Sequence, residues 1–375
     1  MCRLKSGIIL KDRVYIPDHD HHTQMLDELK IKDTRENAER LFVRAELYPK
    51  DGDIFSDPVT WIYRVDQDIL PDWYVAEVDE ARMREAVKAW YAAHVHIDKD
   101  GLTIDSGVHW IKGGKNICIC DSATVECICD SATVKCICGS ATVKCICGSA
   151  TVKCICGYAT VEDIYGYATV KRICGSATVK YIYDSATVER ICGSATVEDI
   201  CDSATVERIC GSATVKCICG SATVECICDS ATVEDIYDSA TVECICGSAT
   251  VKCIYVSATV EYIYDSATVE CICGSATVKC IYGSATVECI CGSATVKCIY
   301  GSATVKCICD SATVERICDS ATVERICGSA TVITGYDITW TNLDNAVVRG
   351  DATIKDCYNK RIIQAGAWTF ETAEG

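Results

Sequence analysis

The segment CICDSATVECICDSATVKCICGSATVKCICG, residues 118–148, repeats a phrase of nine residues that continues, with substitutions, to residue 332. The phrase reads Ser-Ala-Thr-Val, then Lys or Glu, then Cys-Ile-Cys, then Gly or Asp, and we number these positions one to nine. Positions two, four and seven are Ala, Val and Ile in every copy, whereas position six accepts Cys, Asp163, Arg172 or Tyr181. A position that accepts Asp, Arg and Tyr faces solvent, so the unvarying Ala, Val and Ile face a core.

Inward and outward residues alternate within Ala-Thr-Val and again within Cys-Ile-Cys, which predicts strands and not helices. Positions five and six are both outward, and this break in the alternation predicts a corner between two short strands. Gly or Asp at position nine, followed by Ser, predicts the second corner, because these residues tolerate turn geometry. The predicted fold class is therefore mainly β, a single-stack β-solenoid.

Two phrases are needed to enclose a core, which gives 18 residues per coil. This period predicts that Ile137 stacks on Ile155 while Ile146 lies across the core. Position eight supports the period, because like residues follow one another at steps of 18, as stacked ladders favour. One series holds Cys at every step from residue 120 to residue 246. It then continues with Tyr264, Tyr282 and Tyr300.

The chain divides into an N-terminal α/β domain and cap over residues 1–115, a nonapeptide-repeat solenoid over 116–332, and degenerate coils with a cap over 333–375. Both ends of the stack need caps, because an uncovered end exposes strand edges that pair with other chains. At the C-terminus, 345–348 and 351–357 read as degenerate phrases, and Ala367-Trp368-Thr369-Phe370 is aromatic enough to cover the core. Before the repeat, 101–104 and 110–111 also read as degenerate phrases.

The first 115 residues have an ordinary composition and predict a small α/β domain. The sequence from Ile8 to Ile16 predicts a strand pair, and His22 to Leu29 predicts a short helix. A second helix is expected to begin after a cap at Asp33 or Thr34. Apolar residues near helical spacing predict the longest helix over Val78 to Val95.

The chain of 375 residues carries a formal net charge of −17. This charge argues against nucleic acid and against a membrane surface as partners, because both require a basic face. No apolar run is long enough for a signal peptide or a membrane-spanning helix, so we expect a cytoplasmic protein whose 33 cysteines stay reduced. No phosphate-binding glycine loop, nucleophile elbow or cleft of paired carboxylates is visible, and we therefore expect no enzymatic activity.

The Cys-Ile-Cys phrases place two thiols on each rung of the coil, and adjacent rungs offer four thiols on a grid of about 4.8 Å by about 6.7 Å. Thiolates select soft metals, so these columns predict bound zinc, Cu(I) or iron–sulfur clusters. On one face, the candidate metal ligands are Cys118, Cys120, Cys136, Cys138, Cys154, Cys156, Cys226, Cys228, Cys244 and Cys246. On the opposite face, they are Cys127, Cys129, Cys145, Cys147, Cys271, Cys273, Cys289, Cys291, Cys307 and Cys309. Cys174 and Cys192, which follow an Arg at position six, are expected to hold less metal.

Other interpretations of the columns stay open. In the first, Cys is only another tolerated outward residue, and the protein is a structural rod with free thiols that self-associates or docks a protein partner along its faces. In the second, the thiols form disulfides, but stacked Cβ atoms about 4.8 Å apart exceed the preferred range of roughly 3.5–4.5 Å. In the third, the column of Thr at position three binds ice, and a single column on each face argues against this.

The segment Asp18-His19-Asp20-His21-His22 is the one local cluster of metal-ligand residue types. Neighbouring residues rarely converge on one ion, so we favour a polar loop that caps the following helix, with a metal site as the alternative. His94 and His96 flank the predicted end of the longest helix, where a cationic or polar group is favourable. We therefore assign these two histidines a structural role.

Several segments outside the repeat carry a resemblance: MCRLKSGIILKDRVYIPD (residues 1–18), MLDELKIKDTRENAERLFVRAEL (25–47), DQDILPDW (66–73), and the closing IKDC and AGAWTF. Together with the ATV repeat, they resemble a family of gut-bacterial and phage proteins of unknown function, and the resemblance covers nearly the whole chain. It implies an N-terminal α/β domain followed by short repeats, and no activity. In those relatives the repeat reads Tyr-Ile-Tyr or Tyr-Ile-Cys more often, so the double-Cys phrase is a departure from the family pattern.

Overall fold

The repeat forms a two-sheet solenoid in the computed structural model, which describes residues 4–334, 347–356 and 361–364. Nearly every phrase is one strand that runs from its Thr to its Ile. Including the strands at both ends, the two sheets have 16 and 15 strands. A four-stranded antiparallel sheet with three α-helices precedes them in the chain. The architecture is therefore mainly β, as the sequence predicted, with a small N-terminal α/β domain.

The N-terminal domain is built on a sheet with strand order β2-β1-β3-β4. In chain order, its elements are β1 (Lys5–Leu10), β2 (Val14–Tyr15), α1 (His22–Glu28), α2 (Arg35–Ala38), β3 (Phe42–Tyr48), a 3-10 turn (Pro58–Thr60), β4 (Ile62–Val65) and α3 (Ala76–His94). Thr34 caps α2 by accepting a hydrogen bond from the backbone N–H of Asn37 at 3.3 Å, which confirms one of the two predicted caps. The predicted side-chain cap of α1 is wrong, because His21 occupies the cap position and its side chain makes no capping hydrogen bond.

The solenoid alternates between its two sheets along the chain. Its strands are β5 (Val95–Ile97), β6 (Thr103–Ile104), β7 (Val108–Lys112), β8 (Ile117–Ile119), β9 (Thr124–Cys129), β10 (Thr133–Ile137), β11 (Thr142–Ile146), β12 (Thr151–Val152), β13 (Thr160–Ile164), β14 (Thr169–Ile173), β15 (Thr178–Ile182), β16 (Thr187–Ile191), β17 (Thr196–Ile200), β18 (Thr205–Ile209), β19 (Thr214–Ile218), β20 (Thr223–Ile227), β21 (Thr232–Ile236), β22 (Thr241–Ile245), β23 (Thr250–Ile254), β24 (Thr259–Ile263), β25 (Thr268–Ile272), β26 (Thr277–Ile281), β27 (Thr286–Ile290), β28 (Thr295–Ile299), β29 (Thr304–Ile308), β30 (Thr313–Ile317), β31 (Thr322–Ile326), β32 (Thr331–Thr334), β33 (Val347–Val348), β34 (Thr353–Asp356) and β35 (Arg361–Gln364). The odd-numbered strands from β5 to β33 form the odd sheet, and the even-numbered strands from β6 to β34, with β35, form the even sheet.

The core of the solenoid is one continuous cluster of the Ala, Val and Ile side chains, which have essentially no exposed surface. In the odd sheet, Val143 pairs with Val161, which lies 18 residues later. In the even sheet, Ile137 forms a parallel bridge with Ile155, whereas Ile146 belongs to the odd sheet. The predicted coil of 18 residues is therefore confirmed.

The bend at positions five and six differs from the prediction. Strand β11 runs through both positions, and only Lys144 drops out of its ladder with β13, while Val143 and Cys145 on either side remain paired. Two adjacent outward side chains are therefore accommodated by a local bend of one strand. The predicted division of each phrase into two short strands is wrong.

The turns that join the sheets depend on position nine. In the regular phrases this residue has a positive φ, from +53° at Asp121 to +70° at Gly157, which is the left-handed region that Gly and Asp tolerate best. Val256 adopts the same conformation with φ +60° although it is β-branched. Successive turns lie close together. A Cβ atom built on Gly175 would be only 3.0 Å from the backbone nitrogen of Gly157.

The N-terminal domain packs on the first coils. Helix α3, which matches the predicted helix, leads directly into β5, and the ring of Trp90 meets the edge of Trp110 in β7 at 5.5 Å. Strands β5, β6 and β7 already belong to the two stacked sheets, so parallel stacking begins before the regular repeats. At the other end, β34 continues the even sheet and buries Ile354. The predicted aromatic cover at residues 367–370, and Cys357, lie outside the described residues.

None of the helices in the described ranges combines the length and the apolar character that crossing a membrane requires.

Candidate metal centres

Each complete Cys-Ile-Cys phrase places its two thiols on the outer face of a sheet, on either side of a buried isoleucine. Cys271 and Cys273 flank Ile272, which is fully buried, while both cysteines are half-buried. One coil later in the odd sheet, Cys289 pairs with Cys271. The strand register thus builds two parallel columns of thiols, as the sequence predicted.

Within these columns the sulfur atoms meet along a diagonal. The Sγ atom of a position-six cysteine lies beside the Sγ atom of the position-eight cysteine in the next coil, 20 residues later. These Sγ–Sγ distances are 3.8 Å for Cys127–Cys147, 3.7 Å for Cys154–Cys174, 3.8 Å for Cys226–Cys246, 3.7 Å for Cys271–Cys291 and 3.7 Å for Cys289–Cys309. A tetrahedral zinc–thiolate site with Zn–S bonds of about 2.3 Å has a sulfur–sulfur edge of about 3.8 Å. The diagonal pairs therefore already have the spacing of two ligands on one ion.

Four groups of three cysteines have all their Sγ atoms within 4.8 Å of one another. We call them the thiol triads, and they are Cys127/Cys145/Cys147, Cys226/Cys244/Cys246, Cys271/Cys273/Cys291 and Cys289/Cys307/Cys309. Three triads lie on the odd sheet and one on the even sheet. Three thiols leave a tetrahedral ion one position for a further ligand, as in zinc sites with three protein ligands.

The remaining candidate ligands lie on the same columns but belong to no such group among the described residues. They are Cys118, Cys120, Cys129, Cys136, Cys138, Cys154, Cys156 and Cys228. Cys154 instead approaches Cys174, which was predicted to hold less metal because its phrase carries an Arg at position six. The pair forms because the diagonal needs the position-eight thiol of the later coil and not its position-six residue.

The triad Cys226/Cys244/Cys246 already has one activated thiol. A hydrogen bond from the Cys226 thiol lowers the pKa of Cys244 to about 6, against the opposing effect of burial, and Tyr264 also stabilises the thiolate. The same hydrogen bond raises the pKa of Cys226. The surroundings of Cys244 therefore favour its thiolate form, and thiolates are the form that binds metal.

In two other triads, the surroundings of one thiol favour its protonated form. Burial, followed by hydrogen bonds from neighbouring thiols, raises the pKa of Cys271 and of Cys289. A metal ion that binds there must displace protons, so its apparent affinity rises with pH. No cysteine in the described residues forms a disulfide.

The first triad differs from the others because it faces the N-terminal domain. Cys127 and Cys145 line a cleft of about 730 Å³, and His19, His21 and Glu46 of the N-terminal domain also line it. An ion pair between Glu126 and Lys144, at 2.6 Å, lies in the same wall as the thiols. This triad is therefore partly enclosed by the N-terminal domain.

Tyrosines continue the cysteine columns where Cys is replaced at position eight. The rings of Tyr264 and Tyr282 stack with centroids 5.0 Å apart, and those of Tyr282 and Tyr300 with centroids 4.9 Å apart. Like residues therefore stack on like residues, as the sequence predicted. The sequence analysis missed the diagonal contact. Its signal in the sequence is a cysteine at position six that is followed, 20 residues later, by a cysteine at position eight.

Comparison with known proteins adds no relative. No protein-family model matches the chain, and no curated protein or solved structure shows significant similarity to it. The resemblance to gut-bacterial and phage proteins therefore stays a prediction.

Proposed function

We propose that this protein is a non-enzymatic β-solenoid that binds soft metal ions in its thiol triads. The observation that carries the proposal is the diagonal sulfur–sulfur distance of 3.7–3.8 Å, which recurs in each of the four triads. Zinc and Cu(I) are the ions we favour, because three thiolates on one ion suit both. Iron–sulfur clusters are the alternative form of bound metal.

A reducing compartment such as the cytoplasm fits this function, because oxidation would remove the thiolates. The metal-bound rod would then present its charged and aromatic columns to a second copy or to a protein partner. A large negative net charge of −17 makes nucleic acid an unfavourable partner.

The test is elemental analysis of the full-length protein, purified without oxygen, together with its absorbance spectrum. We expect zinc or copper in amounts that approach one ion per triad, and visible absorption only if iron–sulfur clusters are present. Replacing the second odd-sheet triad by Cys271→Ser and Cys291→Ser should remove about one equivalent. The matched control, Cys138→Ser with Cys156→Ser, alters two column cysteines outside the triads and should leave the metal content unchanged.

A protein that contains no metal and takes up no zinc, copper or iron on reconstitution would overturn the proposal. If its repeat thiols also react completely with a thiol reagent, the structural rod with free thiols is the remaining interpretation. Equal losses of metal in the triad variant and in the control would show that the triads are not the binding sites.

A further inference from the structure

A second group of metal-ligand residues lies in the N-terminal domain, and one of them, Glu46, also lines the cleft beside the first triad. His22 begins α1, Glu46 lies in β3, and Asp66 follows the end of β4. One possible ligand atom from each of them lies within 4.8 Å of the other two. These residues are far apart in the sequence and come together only because α1 packs beside the sheet.

The imidazole of His22 is held by one hydrogen bond in an otherwise buried position. Its Nδ1 atom lies 3.1 Å from Oδ2 of Asp66, and its side chain is 10% exposed. Its Nε2 atom is buried and has no hydrogen-bond partner within the described residues. A buried polar atom without a partner costs free energy, whereas Nδ1, which faces Asp66, is the ring nitrogen placed to share an ion with the carboxylates.

One of the two carboxylates, that of Glu46, lacks a side-chain partner among the described residues. Glu46 makes no ion pair or side-chain hydrogen bond within the described part of the chain, although Arg64 is its cross-strand neighbour. An oxygen of Glu46 lies within 4.8 Å of one of Asp66, so the two carboxylates repel each other when both are charged. Two other basic side chains near Glu46 are engaged elsewhere, since Lys5 binds Asp20 and Arg44 binds Asp33. A cation between Glu46 and Asp66 would relieve this repulsion.

The geometry suits a divalent ion. A site with metal–ligand bonds of about 2.0–2.2 Å has edges of roughly 3.0–3.5 Å between ligand atoms. The Nδ1–Oδ2 distance of 3.1 Å falls within that range. One imidazole and two carboxylates form a nitrogen and oxygen ligand set, which suits borderline and hard ions such as Zn²⁺ and Mn²⁺.

We propose that His22, Glu46 and Asp66 bind one divalent cation in the N-terminal domain. This site is chemically distinct from the thiol triads, because its ligands are nitrogen and oxygen and it accepts ions that thiolates do not select. Of the cluster at residues 18–22, only His22 takes part. His19 contacts Glu28 at 3.0 Å, and Asp20 binds Lys5.

The test is a titration of the full-length protein with Mn²⁺, in which electron paramagnetic resonance measures the free ion. Mn²⁺ prefers oxygen and nitrogen ligands, so it reports this site and not the triads. We expect one saturable equivalent whose affinity falls at least roughly tenfold in His22→Ala and in Glu46→Gln, because even residues that only support metal ligands cost 10–100-fold. The control His21→Ala changes the adjacent histidine and should bind Mn²⁺ as the wild type does.

The triad variant Cys271→Ser/Cys291→Ser should also keep full Mn²⁺ binding, which separates this proposal from the function of the thiols. If His22→Ala does not fold by circular dichroism, the isosteric Asp66→Asn replaces it and should show the same loss. The absence of a saturable Mn²⁺ site in the wild type would overturn the proposal. Unchanged affinity in Glu46→Gln and Asp66→Asn, or an equal loss in His21→Ala, would overturn it as well.

Discussion

The Sγ atoms of Cys289 and Cys309 lie 3.7 Å apart, although 20 residues separate the two cysteines in the chain. One coil accounts for 18 of these residues, and the other two carry the chain past the buried isoleucine at position seven. The contact therefore links neighbouring rungs of the solenoid and crosses between the two thiol columns. The same diagonal recurs on both sheets, which makes it a property of the coil and not of one phrase.

Cys244 should be the fastest thiol in the repeat to react with iodoacetamide at pH 7 in metal-free protein. Its pKa is lowered to about 6 by the hydrogen bond from Cys226, whereas burial raises the pKa of Cys136 to about 12. Because the thiolate is the nucleophile, we expect Cys244 to be alkylated at least about tenfold faster than Cys136. Peptide mass spectrometry over a time course measures both rates.

The variant Cys226→Ala tests the cause of this reactivity. It removes the donor that stabilises the Cys244 thiolate, so alkylation of Cys244 should slow. Similar rates for Cys136 and Cys244 in the wild type would contradict the assignment of the thiolate.

The metal-free protein should lose stability as the pH rises from about 8.5, the usual pKa of an unfolded thiol, towards 12. Burial is the largest cause that raises the pKa of Cys154 and of Cys201 to about 12. The stability that these two thiols contribute is fully present below the pKa of a thiol in the unfolded chain. It is lost as the pH rises towards the pKa of the same thiols in the folded protein. The melting temperature measured between pH 8 and 11 should therefore fall. It should fall less steeply in Cys154→Ser/Cys201→Ser, and an identical slope would refute this explanation.

Val256→Gly should stabilise the solenoid by about 0.5–1 kcal/mol. A β-branched residue in the left-handed region costs about 1–2 kcal/mol, and glycine removes this strain. Part of the gain is offset because glycine makes the unfolded chain more flexible and so raises its entropy. Val256 has φ +60°, and its side chain is 44% exposed, so the substitution removes little packing. A rise in the melting temperature is the expected observation.

The reverse change, Gly292→Val, is the matched control. Gly292 has φ +65°, and a Cβ at this position would lie 2.9 Å from the backbone nitrogen of Gly274. This variant should therefore melt earlier than the wild type. A drop in melting temperature for Val256→Gly would show that the turn does not strain Val256.

Ile218→Asp should disrupt the coils around it, because Ile218 is fully buried and stacks between Ile200 and Ile236. A buried charge without a partner is costly, and each coil of a solenoid depends on its neighbours. Hydrogen exchange should speed up in β17, β19 and β21. Thr214→Ser, on the outer face of the same strand, should exchange almost as the wild type does, and equal effects of both variants would contradict the inward and outward assignments.

The period of the repeat predicted the stacking of Ile137 on Ile155 and the buried side of each strand, because the side chains at those positions never vary. The bend at Lys144 was predicted at the right place but with the wrong structure, since the pattern cannot distinguish a bent strand from two strands. The diagonal between Cys127 and Cys147 was missed because it depends on how each side chain leans along its strand. The grouping of His22 with Glu46 depends on the packing of a helix against a sheet, which no local pattern encodes.

Because every phrase ends in the same turn at position nine, the solenoid can be lengthened by one phrase or by two, and the two insertions have different consequences. An insertion of a single phrase would leave every Ala, Val and Ile in the core, because each phrase presents the same three side chains. It would also transfer every later phrase to the other sheet, so thiols and tyrosines would meet new neighbours where the two parts join. An insertion of two phrases would preserve both the core and the columns. The core is thus preserved after either insertion. The neighbours of the surface side chains are preserved only when the number of inserted phrases is even.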